Sequence, residues 1–138
     1  VLLVMHITNN KTVGDLRKEF NEAFPYLKIE FYSMPYKEKE LLPKDKIIRH
    51  GAPLTQCRKN DNEGTIELKP ELTVAALEQA LWENYGLSVQ VFRKSGPLWI
   101  ETSLTDSWTL LQQNYEGEQL SIGIDNTPQT DWYDRDQT

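Results

Sequence analysis

One cysteine, Cys57, stands among 138 residues, so no intrachain disulfide can staple the fold. That scarcity favours a reducing, cytoplasmic setting, but an export signal removed ahead of Val1 would leave no trace, and localisation stays open. Histidine is nearly as scarce. His6 and His50 are the only two, and no CxxC or HxxxH spacing links them or Cys57 into a metal-ligand pattern. The sequence also lacks GxGxxG, GxxxxGK and GxSxG, which removes the usual phosphate cradles and the nucleophile elbow. No cofactor, metal or catalytic set is therefore expected. Long apolar runs are missing too: Val1 to Ile7 is too short to cross a bilayer. The remaining enzymatic reading is a dyad of His50 and Cys57. Seven residues separate them, with Gly51 and Pro53 between, which fixes no geometry, and a lone cysteine is more often a small buried apolar group.

The net charge of −6 argues against generic nucleic-acid or anionic-membrane binding. It hides an asymmetry. Residues 37–59 carry seven basic side chains against three acidic ones, and residues 115–138 carry six acidic ones against Arg135. Lys37, Lys39, Lys44, Lys46 and Arg49 thus make a candidate basic patch for nucleic acid or an anionic ligand. Its bland counterpart is a solvated loop, or a loop lying against the acidic tail.

What the chain does contain is one pattern twice. Thr12, Val13, Leu16, Phe20, Glu22 and Phe24 return 61 residues later as Thr73, Val74, Leu77, Leu81, Glu83 and Tyr85. Leu27, Ile29 and Phe31 return 60 residues later as Leu87, Val89 and Val91, with the helical period giving way to a period of two. Each copy reads strand, helix, strand, strand. Thr12 with Asp15 approximates a capping box, Thr73 caps the second helix, and Gly86 supplies its left-handed end. Lys94-Ser95-Gly96-Pro97 predicts a hairpin turn into Leu98–Ser103, while Lys46 to His50 is the matching return in the first copy. Thr105 is expected to cap a short helix over 106–113.

These elements predict a single α+β domain over residues 1–126, made of repeats at about 1–61 and 62–122, with an acidic tail at 127–138. The expected architecture is a two-layer sandwich of four to six strands with two main helices on one face. The order βαββαβ suggests a ferredoxin-like sheet, and the alternative is a pseudo-twofold pair of small sheets packed through the helices.

With Leu27, Ile29 and Phe31 turned inward, Tyr32 and Phe92 face away from the helices, and Trp99 is expected to join them. Leu2, Val4 and His6 on the first strand are assigned to the same outer face. Tyr32, Phe92, Trp99 and His6 are therefore the candidate contact surface for a protein partner or a second copy, giving a non-enzymatic binding or assembly module. Folding of the 106–113 helix or of Trp132 in the tail over this face is the competing reading. Aromatic rings on an open sheet also suit single-stranded RNA, but Phe92-Arg93-Lys94-Ser95-Gly96 lacks the basic-Gly-aromatic-Gly-aromatic motif and the net charge has the wrong sign.

Overall fold

The computed structural model describes residues 3–125. Five strands and three α-helices follow one another as β1 (Val4–Ile7), α1 (Val13–Ala23), β2 (Leu27–Tyr32), β3 (Gly64–Glu67), α2 (Val74–Tyr85), β4 (Ser88–Ser95), β5 (Leu98–Glu101) and α3 (Leu110–Asp125). The fold is α+β and compatible with a two-layer sandwich. Leu2 and the tail with Trp132 lie outside the described residues.

Local chemistry explains both repeated helices. The Thr12 hydroxyl accepts from Asp15 N at 3.2 Å while Asp15 accepts from Thr12 N at 2.9 Å, completing a capping box. The Thr73 hydroxyl accepts from Ala76 N at 3.1 Å. Gly86, at φ 65°, closes α2, a conformation that costs glycine no Cβ clash. The first free N–H groups of each helix are met by carbonyls of a later segment, after β2 for α1 and after β5 for α2. Val13 and Gly14 donate to Ala52 and His50 at 2.9 and 2.7 Å, and Val74 and Ala75 donate to Trp108 and Asp106 at 3.0 and 2.8 Å. Neither helix start is left open for an anion.

The strands expected in one ferredoxin-like sheet are divided between two. β1 pairs with β3 in a two-stranded ribbon, and β2, β4 and β5 form a three-stranded sheet in the order β2-β4-β5. Every pairing is antiparallel. In these pairings Met5 lies opposite Ile66, and Glu30 opposite Gln90. Edge chemistry accounts for the division. Glu19 of α1 accepts the His6 N–H on β1 at 2.8 Å, which occupies a group that another strand would need. The free edge of β2 is taken by Arg17, bonded to Ile29 O at 3.1 Å, and by residues 46–48. There Ser33 N donates to Lys46 O and Ile48 N to Phe31 O, giving a single Tyr32 to Ile47 bridge instead of the full return strand.

Met5, Ile7, Leu16, Phe20, Leu27, Ile29, Phe31, Leu77, Leu81, Val89 and Val91 share one buried core. α3 differs from the short helix expected over 106–113. Ser103–Thr105 is a 3-10 turn, and the helix begins at Leu110 behind Thr109, whose hydroxyl and N–H bond Gln112 reciprocally at 3.0 and 2.9 Å. It crosses the Tyr26 end of the sheet, where Asn114 accepts from Tyr26 N at 2.8 Å. Gly117 makes this approach possible, since a Cβ there would sit 2.9 Å from Tyr26 Cβ and 3.0 Å from its carbonyl oxygen. Gly117→Ala should therefore lower stability by about 1–3 kcal/mol, although alanine favours helix by about 1 kcal/mol. Urea unfolding monitored by circular dichroism measures the difference, and an unchanged or higher midpoint would show that the contact is slack.

Candidate functional site

The outer face of the three-stranded sheet is not open at its Tyr32 end. Residues 33–42, which follow β2, cross it as a strap. Its own Tyr36 and Leu42 are buried as anchors, at 8% and 3% exposure. The Gln90 side chain holds the backbone on both sides, donating to Glu40 O at 2.6 Å and accepting from Leu42 N at 3.3 Å. Lys39 adopts a left-handed φ of 61° and bonds Asp106 at 2.7 Å. Tyr36 reaches past the β4 edge to Glu78, its hydroxyl donating to Oε1 at 3.1 Å.

This strap changes the expected aromatic face. Tyr32 is 2% exposed and lies beneath it. Phe92 and Trp99 remain half-buried side by side, with Lys28 Nζ 5.2 Å from each ring and Lys94 Nζ 5.1 Å from Trp99. His6 and Val4 belong to the other sheet, so His6 does not join the set; its ring lies 3.4 Å from Glu19. Of the five basic candidates, Lys39 pairs with Asp106, and Lys37, Lys44, Lys46 and Arg49 are exposed.

His50 and Cys57 are not brought together as a dyad. The His50 ring stands 3.3 Å from Arg17 and 3.5 Å from Glu30. The Cys57 thiol donates instead to Pro53 O at 3.2 Å. Burial pushes its pKa up, against the smaller opposing pull of Arg49 and Arg58. The thiol form is thus favoured over the nucleophilic thiolate. Among the described residues no three His, Cys, Asp or Glu side chains converge on a metal position, and no helix is long and apolar enough to cross a membrane.

The feature with binding geometry is a cleft of about 710 Å³ where β2 ends and β4 begins. Met34 and Pro35 of the strap form one wall, Ile48, Ala52 and Cys57 another, and Trp82 with Gly86 of α2 a third. Tyr32 and Ser88, directly paired across β2 and β4, stand at the sheet end. Arg49, Arg58 and Lys59 supply three cations, and among the described residues no carboxylate lines the cleft. Arg58 also caps α2, its Nη1 donating to Tyr85 O at 3.2 Å and Asn62 O at 2.6 Å, as suits a cation at a helix C-terminus. Its Nε–H, the Tyr32 hydroxyl and the Ser88 hydroxyl are all buried without a hydrogen-bond partner. Unpaired buried polar groups cost about 1–3 kcal/mol each, and three belong to residues of this one cleft.

No family model, curated protein or solved structure matches the chain. Of the five basic candidates only Arg49 lines the cleft; sequence reading counts Arg58 and Lys59 only in the charge of the segment and passes over Trp82 and Ser88, among others. Trp82 carries a signal, being a large aromatic off the apolar stripe of α2, whereas Ser88 carries none. A half-buried thiol with a raised pKa, bonded to Pro53 O, predicts slow alkylation: at pH 7 and 25 °C iodoacetamide should modify Cys57 about tenfold more slowly than it does in denaturant. Equal rates measured by mass spectrometry would contradict that placement.

Proposed function

We propose that this chain is a non-enzymatic binding module whose cleft takes a small organic anion. The observation that supports it best is the composition of the cleft wall: Arg49, Arg58 and Lys59 with no carboxylate among the described residues, in a chain of net charge −6. In an acidic protein such a wall selects by charge, and Trp82, Met34, Pro35 and Ile48 offer the body of a ligand apolar contact. Concavity favours a compact ligand over a polymer. The basic segment then acts through Arg49, Arg58 and Lys59, and Lys37, Lys44 and Lys46 solvate the surface.

Benzoate and its uncharged analogue benzamide separate charge recognition from apolar binding. Calorimetric titration of the full chain in low salt should show benzoate bound more tightly than benzamide. Replacing both Arg49 and Lys59 by Ala should weaken benzoate by about tenfold, since partly exposed charge contacts contribute up to about 1 kcal/mol each. Equal binding of the two compounds, or none by either, refutes the reading.

A second reading keeps the aromatic face, because the strap leaves Phe92 and Trp99 half-buried. We propose it as a protein contact, with self-association the first case. Sedimentation should then show a concentration-dependent mass that Phe92→Ser with Trp99→Ser abolishes; a monomer at high concentration in both proteins removes self-association. We also infer that the two halves are copies of one unit in the pseudo-twofold arrangement. The pairing of Met5 with Ile66 and of Glu30 with Gln90, each with its counterpart in the other half, supports this.

A further inference from the structure

Glu78 is the one acidic side chain of α2 that is buried, at 6% exposure. Both of its oxygens are engaged: Oε1 accepts from the Tyr36 hydroxyl at 3.1 Å and Oε2 from the Val91 N–H at 3.1 Å. Val91 N lies where β5 no longer pairs with β4, so the carboxyl group stands in for a missing strand. Four of the segments around it contribute a titratable or charged group. The strap brings Tyr36, and Lys39 through Asp106; β2 brings Tyr32; β5 brings Glu101; the turn before α3 brings Asp106. Two further carboxylates therefore share the neighbourhood, and the cation that reaches it, Lys39, is bonded to Asp106 and not to Glu78.

We propose that Glu78 is a proton-operated latch on the strap, and that the strap governs access to the cleft through Met34 and Pro35. The consequence for the ligand rests on the cleft reading above; the latch itself does not. A protonated Glu78 can accept from Val91 N–H with one oxygen and donate to the Tyr36 oxygen with the other, so neutral Glu78 keeps both links. An ionised Glu78 is held in a buried site beside Asp106 and Glu101, and lifting Tyr36 away lets water reach it.

The direction follows from linkage. Burial first, then Asp106 and Glu101, push Glu78 from 4.5 up to about 7, against the donors Val91 N–H and Tyr36 OH. The closed strap therefore binds the proton more tightly than the open one. Closure is fully favoured below pH 4.5 and loses that contribution as pH rises through about 7. Lys39, whose pKa Asp106 pushes further up, stays charged throughout, so its bond to Asp106 does not reverse the trend.

Amide hydrogen exchange on the full chain reads the latch at Leu42 and Val91, whose N–H groups bond Gln90 and Glu78. If opening hydrates Glu78 fully, their protection factors, corrected for intrinsic rates, should fall by up to about seventyfold between pH 5 and pH 8. Glu78→Gln, which can accept from Val91 N–H and donate to Tyr36, should flatten that dependence. Protection constant within twofold in the natural chain, or an equal fall in Glu78→Gln, overturns the latch. The natural-chain profile stands alone if the variant does not fold. Benzoate affinity should weaken over the same pH range, and constant affinity while protection falls overturns the coupling of strap to cleft. Absence of benzoate binding at every pH overturns the cleft reading, and amide protection then judges the latch by itself.

Discussion

The pairing of β2 with β4 is the constraint on which the remaining structure depends. Its register places Ile29 opposite Val91, both buried, and so places Glu30 opposite Gln90 on the other face. A shift of one residue would exchange these sets and bury the charges against the helices. Once the register holds, an acid and an amide lie at the centre of the outer face and need partners. Glu30 is surrounded by Arg17 at 3.2 Å, Lys28 at 3.3 Å and His50 at 3.5 Å. Gln90 is satisfied by the strap backbone. The strap is thus a response to a polar centre that the core pairing creates, and its course then shapes one wall of the cleft.

A second dependence runs through the helix starts. Each helix would leave N–H groups unpaired at its first turn, and in both halves a returning segment supplies the carbonyls. This ties residues 50–54 to α1 and 106–110 to α2. In the first half, the tie carries Ala52 to the cleft and leaves His50 against Arg17 and Glu30 instead of Cys57. The separation of the two residues that a sequence reader would pair is thus a by-product of capping.

Much of the fold is legible in the sequence where local signals are strong. Thr12 with Asp15, Thr73 and Gly86 mark helix ends because each completes a short-range hydrogen-bond pattern or a φ that only certain residues adopt readily. The alternation in Leu27–Tyr32 and Ser88–Ser95 likewise separates faces correctly. The pairing of strands is not legible, since it depends on which edges Glu19 and Arg17 occupy from a distance. α3 escapes for another reason: it packs through Gly117, Gln113 and Asn114, which make close or polar contacts and leave no apolar stripe. Its Thr109 and Gln112 box is nonetheless written in the chain. The strap is hardest to foresee, because Tyr36 and Leu42 are isolated anchors in a charged segment and the rest is held by one side-chain amide.

Two helix side chains of opposite charge do the same work at the edges of one sheet. Arg17 lies on α1 and Glu78 on α2, and each reaches a sheet edge. Arg17 donates to the carbonyl of Ile29, and Glu78 accepts from the N–H of its cross-strand partner Val91. Either sign of charge can do this work, because a strand edge offers both donors and acceptors. The consequences differ. Arginine holds its charge at every physiological pH, whereas a buried glutamate near two other carboxylates titrates close to neutrality. The acid on α2 thus places a proton-sensitive group where the strap comes to rest.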